Sequence, residues 1–444
     1  QQAKESRFLR LVCLFRLKDP SLNSELEKFR AENPSPQELA QANLLLAESY
    51  FQNAQWAEAA NAYSKIRIRD LPSNLQADPA YKLAWCLARV SRHTEAVNAY
   101  SDFLEKFPKN ELEDNALTGR GISLLQLGNH TAAIRDFDRV LQKSPPSSQR
   151  ELALLNRGLA YGSLQQNDRM RADFEQLIRE FPNSPARAQA EFWIGYSKFE
   201  AKDYRGSVPH FLKARELDPT NYGQRAGLRI LLANYYLDDP EATMAELESG
   251  KLENIPPEIY QWLGFRFFER NKFDLSEKYL TKLIEDKKLS PPPSVYAQLA
   301  RAQLRLGKFD AALASAQKYE EISTEPAERA RAKLLQSEAA IGVRDYDRAL
   351  ALARDAQMLQ PEGRINAEAR MAVGNIQLQQ GNPAEAAKTF LAIAVLYDDE
   401  LLTPEALRNA AAAFRQAGDE AEAQKAEAEL ARRYPAQTQI PQQR

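Results

Sequence analysis

The side chains that most often carry catalysis or bind metals are few and scattered in this chain. Its three histidines are His93, His130 and His210, and its two cysteines are Cys13 and Cys86. Zinc sites and catalytic triads need such groups to be brought together, often at characteristic spacings, and none of those spacings occurs. Phosphate-binding glycine loops and the HExxH and CxxC motifs are also missing from the sequence. The sequence therefore predicts no enzyme, no catalytic residue, no cofactor and no metal site.

The distance between two of these histidines indicates how the chain is organised. His93 and His130 are 37 residues apart (130 − 93), and small residues recur at nearly the same step along the whole sequence. The step is 37 residues in the first half and again at the end, with irregular steps of 38, 31 and 36 between. The aligned positions are Arg10, Ala47, Ala84, Gly121, Gly158, Gly195, Ala233, Gly264, Ala300, Ser337, Gly374 and Ala411. A constant period of this length predicts stacked supersecondary units that share one continuous core.

Each unit is predicted to be a pair of short antiparallel helices, A and B. In the unit 78–110, apolar and small residues fall at helical spacing in two runs, separated by the polar residues SRHT. The runs are Leu83-Ala84-Leu87 and Ala96-Tyr100-Phe103-Phe107, and Pro108 follows the second. Small residues at the aligned position let the two helices approach closely, while the aromatic residues fill the layer between neighbours.

This arrangement resembles the tetratricopeptide repeat family. Its helix A carries an apolar residue, then Gly or Ala, then an aromatic residue, and its helix B carries Ala-x3-Phe/Tyr and then Pro. Matching residues include Leu46-Ala47-Tyr50 with Ala59-Tyr63, and Gly158-Tyr161 with Phe174 and Pro182. The resemblance implies an all-α chain: a right-handed superhelical α-solenoid of about 11–12 helix-turn-helix repeats. The 37-residue period exceeds the usual 34, and the strings FPKN and FPNSPARAQAEFWIGYSKFEAKDY are similar to those of bacterial envelope members.

The irregular steps predict the domain organisation. We expect an N-terminal arm over 1–222 with about six repeats, the first of them degenerate, and a C-terminal arm with a capping helix over 294–435. Prolines interrupt the region 223–293, which is predicted to be a joint or, as the alternative, a degenerate repeat that stacks normally. The tail 436–444 is predicted to be disordered. Cys13 and Cys86 are both expected to be buried, and Pro209 to bend or delay its helix.

Composition narrows the class of partner. The chain has 59 basic and 61 acidic residues, and its pI is near 6.2, which argues against binding to nucleic acid. No apolar run approaches the length of about 20 residues that a membrane-spanning helix needs. Protein or peptide partners are therefore expected. The envelope resemblance implies a periplasmic or outer-membrane-associated protein in a multiprotein complex, with a cytoplasmic location as the alternative.

Family resemblance also implies a binding face, because in this family the A helices line the concave wall. Basic or amide residues that clamp an acidic C-terminal peptide in some members are replaced here by Leu44, Tyr81, Thr118 and Leu155. On the C-terminal arm, Arg301, Arg305, Arg408 and Arg415 either hold an acidic partner or are solvated. The predicted partner-binding residues are Phe51, Tyr81, Trp85, Arg89, Phe192, Tyr196, Phe199, Phe265 and Phe268. As the alternative, the aromatic residues among them pack against the adjacent A helix.

Taken together, these features predict a non-enzymatic scaffold that binds a partner protein or peptide along its concave face. The alternative is a regulatory or substrate-recruiting arm of a larger enzyme, secretion or export protein. A start at Gln1 and a degenerate first repeat are consistent with that alternative.

Overall fold

The computed structural model describes residues 2–249, 252–286 and 288–435. These residues form 24 α-helices in consecutive pairs, each joined by a short turn, and no β-strand occurs among them. Contacts divide the chain into two compact units, Gln1–Leu252 and Glu253–Arg444. The predicted all-α solenoid of helix-turn-helix repeats is therefore confirmed, and its helix pairs number twelve in the described residues.

The first unit holds seven helix pairs, in which the odd-numbered helix is helix A and the even-numbered helix is helix B. Its helices are α1 (Gln2–Arg16), α2 (Leu22–Ala31), α3 (Pro36–Gln52), α4 (Trp56–Ser64), α5 (Ala77–Arg89), α6 (His93–Lys106), α7 (Glu113–Gln126), α8 (His130–Leu141), α9 (Arg150–Ser163), α10 (Asn167–Glu180), α11 (Arg187–Glu200), α12 (Tyr204–Leu217), α13 (Pro219–Tyr236) and α14 (Pro240–Ser249). Short 3₁₀ turns at Ile68–Asp70 and Ser73–Leu75 lengthen the connection between α4 and α5.

The second unit holds five pairs with the same alternation. Its helices are α15 (Pro257–Glu269), α16 (Phe273–Glu285), α17 (Pro293–Arg305), α18 (Phe309–Ile322), α19 (Pro326–Gly342), α20 (Tyr346–Leu359), α21 (Gly363–Gln379), α22 (Pro383–Leu396), α23 (Leu402–Gln416) and α24 (Glu420–Arg433). Proline occupies the first turn of several of these helices, where its missing N–H removes no intrahelical hydrogen bond.

The small residue of helix A contacts the aromatic residue that lies 16 positions later in helix B. Gly121 faces Phe137, Gly158 faces Phe174, and Gly374 faces Phe390 so closely that an added Cβ would lie 2.4–3.0 Å from the ring. All three rings are fully buried. The close approach that the repeat alignment predicts is therefore present in the structure, and it allows the ring to fill the space between the paired helices.

The turn between helices A and B reverses the chain through one left-handed residue. In the pair α9–α10, Gln165 has φ 58°, and the N–H groups of Gln165 and Gln166 donate to the carbonyls of Gly162 and Tyr161. This is the Schellman arrangement that ends a helix and satisfies its last carbonyl groups. The equivalent left-handed residues are Lys18, Ala54, Ser91, Gly128, Lys202, Asp238, Asn271, Gly307, Arg344, Gly381 and Gly418.

One expectation from the sequence is wrong, and so is one of two alternatives in another. Cys13 is exposed rather than buried, because α1 is the first described helix of its unit and no described helix packs before it. Cys86 is buried, as expected. Pro209 does not delay its helix, since α12 begins at Tyr204 and continues through the proline. A bend of α12 at Pro209, the other alternative, stays a prediction.

The predicted division into two arms and a joint stays a prediction. The boundary between the two units, after Leu252, falls inside the region 223–293 where a joint is predicted. In this region α13 is long, with 18 residues, and α14 is short, with 10. The predicted disordered tail, 436–444, lies outside the described residues.

Candidate functional site on the odd-numbered helices

The odd-numbered helices form one wall in each unit. In the first unit α5 contacts α7, α7 contacts α9, and α11 contacts α13, in addition to the even-numbered helices beside them. In the second unit the same type of contact joins α15 to α17, α17 to α19, α19 to α21 and α21 to α23. An odd-numbered helix is therefore packed on several sides, and only a narrow stripe of its side chains remains accessible.

Two arginines of this wall each pair with a buried aspartate on helix B of the same repeat. Arg157 on α9 donates to both carboxylate oxygens of Asp173 on α10, at 2.6 and 2.9 Å, and to Asp138 on α8 at 2.6 Å. One repeat earlier, Arg120 makes the same bidentate contact with Asp136 at 2.7 and 2.8 Å. The sequence analysis missed both pairs. In both pairs the aspartate follows the arginine by 16 residues, and the second pair follows the first by 37 residues. This repeated spacing is the sequence signal that could have identified them.

The electrostatics of the Arg157 cluster keep its guanidinium charged. Burial by itself would lower the pKa of Arg157, but its hydrogen bonds to Asp173 and Asp138 and their negative charges raise that pKa above its ordinary value. Arg157 thus links its helix pair to the preceding one through Asp138, and Arg120 does so by donating to Ser101 Oγ on α6 at 3.0 Å. These two arginines contribute to the packing of the stack and are not free to bind a partner.

A first group of aromatic residues lies on α3, α4 and α5. Phe51, Trp56 and Trp85 pack in a triad, with ring centroids 5.0–5.4 Å apart. Lys82 Nζ lies 5.0 Å from the centre of the Phe51 ring and 2.9 Å from the Glu48 carboxylate. All three rings are half-buried, so this predicted site retains accessible aromatic surface.

The other two residues predicted on α5 have different surroundings. Tyr81 packs edge-on against Tyr100 and Phe103, at 6.0 and 5.9 Å, and burial raises the pKa of its hydroxyl. Arg89, near the end of the helix, is exposed. Most of the Tyr81 ring therefore contributes to the core between α5 and α6.

On α11 the accessible stripe differs from the predicted one. Phe192 and Phe199 are only 4% and 8% exposed, and both pack against Phe211 of α12. Tyr196 is half-buried, and Trp193, which the sequence analysis did not select, lies beside it with ring centroids 5.4 Å apart. The side chains of α11 that reach solvent along this stripe are therefore Trp193, Tyr196 and Glu200. The sequence analysis had selected Phe192, Tyr196 and Phe199 instead.

Trp193 and Tyr196 form one side of a cleft between α9, α10 and α11. The cleft has a volume of about 620 Å³, and its apolar lining includes Leu159 and Met170. Gly162 opens its floor, since a Cβ there would lie 2.8 Å from the sulfur of Met170. The remaining lining residues are polar: Ser163, Gln165, Asn167 and Glu200. The cleft therefore presents apolar and polar groups side by side, and aromatic residues with a few polar groups are common in ligand-binding clefts.

Two arginines of α13 cover the far side of the same aromatic group. The Arg225 guanidinium lies 4.5 Å from the centre of the Phe192 ring, and the Arg229 guanidinium lies 5.2 Å from that of Tyr196. We call Trp193, Tyr196, Arg225 and Arg229 the α11–α13 strip. All four belong to the first unit.

The predicted residues of the second unit are Phe265 and Phe268 on α15. Both are half-buried; Phe265 packs against the cluster around Leu280, and Phe268 meets Phe273 at 5.2 Å. The sequence analysis also named four arginines of the C-terminal arm, and one of them, Arg415, forms an ion pair with Glu427 of α24 at 2.7 Å. Continuity of Phe265 and Phe268 with the aromatic residues of the first unit stays a prediction.

Within the described ranges, no cluster of three or more His, Cys, Asp or Glu side chains is arranged to hold a metal ion. No helix in the same ranges combines the length and the apolar character that crossing a membrane requires.

Stacked helix pairs with an accessible stripe of aromatic residues define a helical-repeat scaffold. The chain belongs to the tetratricopeptide repeat family. One model described as tetratricopeptide repeat matches residues 44–111, 81–148 and 334–400, and a second with the same description matches 152–184. Proteins of this family bind protein partners and are generally scaffolds rather than enzymes. No curated protein matches the chain.

Three solved structures illustrate the similarity. A tetratricopeptide repeat protein from Parabacteroides merdae is 17% identical, covering 68% of this chain and 98% of its own, with a TM-score of 0.32. Yeast Tom70 is 16% identical, covering 87% of this chain and 99% of its own, with a TM-score of 0.32. MamA from Desulfovibrio magneticus is 18% identical, covering 42% and 97%, with a TM-score of 0.35.

Proposed function

We propose that this scaffold binds its partner protein on the odd-helix wall of the first unit, with the cleft beside Trp193 and Tyr196 as the main contact. The observation that carries the proposal is the stripe of half-buried aromatic residues beside an open cleft of about 620 Å³. Trp and Tyr supply large, rigid contact areas and dominate the energetics of protein interfaces. The indole N–H of Trp193 has no hydrogen-bond partner among the described residues, and a carbonyl of the partner would accept from it.

The aromatic triad of Phe51, Trp56 and Trp85 supports a second contact along the same wall. It lies on α3, α4 and α5 of the same unit, and its rings are only partly covered. A partner that occupies both places would be held at two positions of one rigid stack, which raises affinity without further contacts. The envelope role and the periplasmic or outer-membrane-associated location implied by the sequence resemblance remain part of the proposal. Fractionation of the native cells tests them.

Affinity capture from the native organism tests the binding surface, with the full chain as bait. The double variant Trp193→Ala/Tyr196→Ala is expected to reduce recovery of the captured partner at least about tenfold, since removal of one interface hot spot costs about 2 kcal/mol or more. Tyr346→Ala, which removes a half-buried aromatic residue at the start of α20 in the second unit, is the matched control and should leave recovery unchanged.

A second variant separates binding from folding. Glu200 is exposed at the rim of the cleft, so Glu200→Trp should obstruct the cleft without removing a core contact. Recovery should fall in this variant while its circular dichroism and melting temperature stay those of the original chain. Unchanged recovery in both cleft variants would disprove the proposed binding surface.

A further inference from the structure

Helix α13 carries two charges, and both are positive. Its sequence, PTNYGQRAGLRILLANYY, contains Arg225 and Arg229 but no Asp, Glu or Lys. The two arginines are one helical turn apart, so they lie on the same face, with Cβ atoms about 6 Å from each other. A helix of 18 residues with this composition concentrates positive charge at one place on the odd-helix wall.

Both guanidinium groups lie over aromatic rings. Arg225 lies 4.5 Å from the centre of the Phe192 ring and 5.6 Å from that of Tyr222. Arg229 lies 5.2 Å from the centre of the Tyr196 ring and 5.0 Å from that of Phe199. A guanidinium within about 6 Å of a ring centre is attracted to the ring face, and this contact uses none of its N–H groups as hydrogen-bond donors. Neither arginine forms an ion pair or a hydrogen bond with any residue that the structure describes.

Four arginines on other odd-numbered helices of the two units lack this combination. Arg120 and Arg157 use their N–H groups on buried aspartates. On α17, Arg301 and Arg305 are also one turn apart, exposed and without an ion pair among the described residues, but no aromatic ring lies under either of them in that set. Ring contacts and N–H groups without a partner among the described residues therefore occur together at Arg225 and Arg229. Arg301 and Arg305, an exposed arginine pair without ring contacts, serve as the control.

We propose that Arg225 and Arg229 bind two carboxylates of an acidic segment of the partner protein, whose neighbouring bulky apolar side chain enters the cleft beside Trp193 and Tyr196. This proposal rests on the proposed function and specifies the chemistry of the partner. Guanidinium groups bind carboxylates with paired, charge-assisted hydrogen bonds, and preorganised ones lose less conformational entropy in doing so. Side chains two residues apart on an extended chain are about 6.5 Å apart, close to the spacing of the two arginines.

The acidic side chains of α11 do not neutralise the strip. Glu191 is bonded to His210 Nδ1 at 2.8 Å, and Glu200 lines the rim of the cleft. A nucleic acid fits this surface poorly, because its binding requires many phosphate contacts along a basic face, and the chain as a whole carries a net charge of −2. A short acidic polypeptide needs only the two cations that α13 provides.

Selection from a random dodecapeptide phage library on the full chain tests the proposal. Peptides recovered by the original chain should combine an aromatic or bulky aliphatic residue with two acidic residues nearby. Selection on Arg225→Gln/Arg229→Gln should lose the acidic residues, whereas selection on the matched control Arg301→Gln/Arg305→Gln should keep them. The leading peptide is then labelled with fluorescein. Its dissociation constant for Arg225→Gln/Arg229→Gln should be at least about tenfold higher than for the original chain, and its constant for Arg301→Gln/Arg305→Gln should stay within about twofold of the original. Its affinity should also fall as the salt concentration rises.

The outcomes distinguish this inference from the proposed function. Peptides without acidic enrichment, equal losses in both arginine variants, no selected peptides, or displacement of the peptide by short single-stranded DNA would overturn it. If peptide binding or partner capture depends on Trp193 and Tyr196 but not on Arg225 and Arg229, the acidic partner is wrong while the proposed binding surface stands. If binding depends neither on Trp193 and Tyr196 nor on Arg225 and Arg229, the proposed binding surface and the acidic partner are both wrong.

Discussion

Replacement of Gly121 by alanine tests the close contact that repeats through the stack. Gly121 lies in α7, and a Cβ built on it would be 2.7 Å from one carbon of the Phe137 ring and 2.8 Å from another. Phe137 is fully buried in α8 and cannot move without disturbing its neighbours. Gly223, in α13, is a matched control, because a Cβ there meets no atom within 4 Å.

The two replacements should have opposite effects on the free energy of unfolding. Alanine in place of glycine inside a helix stabilises it by about 0.8–1.0 kcal/mol, and Gly223→Ala should show this gain. Gly121→Ala has the same intrinsic gain, but forcing one more carbon into a packed core costs about 1–3 kcal/mol. The two variants should therefore differ by about 1–3 kcal/mol, with Gly121→Ala the less stable.

Urea denaturation followed by circular dichroism measures the difference through the transition midpoints, provided that the slopes are equal. The double variant Gly121→Ala/Phe137→Leu shows whether the ring is responsible. If the methyl group collides with Phe137, the two substitutions should be coupled by about 1 kcal/mol, so that the double variant is more stable than the sum of the single effects predicts. Equal stabilisation by Gly121→Ala and Gly223→Ala, or the absence of coupling, would refute the reasoning.

Three further predictions concern the thiols, a buried ion pair and a strained turn. Burial raises the pKa of Cys86 to about 12, whereas Cys13 is exposed. At pH 8 iodoacetamide should therefore label Cys13 in the native chain and Cys86 only after unfolding, as counted by mass spectrometry. Two labels on the native chain would contradict this. Asp173→Ala should lower the free energy of unfolding, measured in urea, by about 2–4 kcal/mol, because it leaves the largely buried Arg157 charge without its main partner. A loss below about 1 kcal/mol would contradict this and would indicate that water replaces the carboxylate. Lys202 has φ 63°, a conformation that is strained for lysine but not for glycine. Lys202→Gly should therefore raise the midpoint of urea unfolding by the equivalent of about 1 kcal/mol. A lower midpoint would show that the contacts of the lysine side chain outweigh its backbone strain.

The helical fold and its register could be predicted because they depend on local spacing. The 37-residue step identified the pairs of helices, and it placed Gly158 correctly against the helix that carries Phe174. The left-handed turn residues follow the same step, although Lys202 and Arg344 have side chains that give no indication of positive φ. Turn geometry here is set by the closure of the helix pair, so composition alone does not reveal it.

The candidate site was predicted less accurately, because an odd-numbered helix packs on several sides. Phe192, Tyr196 and Phe199 share one helical face, yet the neighbouring helices α12 and α13 bury the first and last of them. Trp193 lies one position further along and reaches the cleft. A shift of one residue rotates a side chain by about 100° around the helix, and no sequence period distinguishes the buried face from the accessible one when both are apolar.

The sequence by itself determined the unit of this protein: a pair of helices, repeated at a fixed step, with a small residue opposite a ring. These features depend on contacts within one repeat, and the spacing of residue types records them directly. The tertiary structure decided which side chains remain accessible, such as Trp193. It also decided which charges have no ion-pair partner among the described residues, such as those of Arg225 and Arg229. Accessibility and pairing depend on the neighbouring repeats, whose side chains differ at each step along the stack.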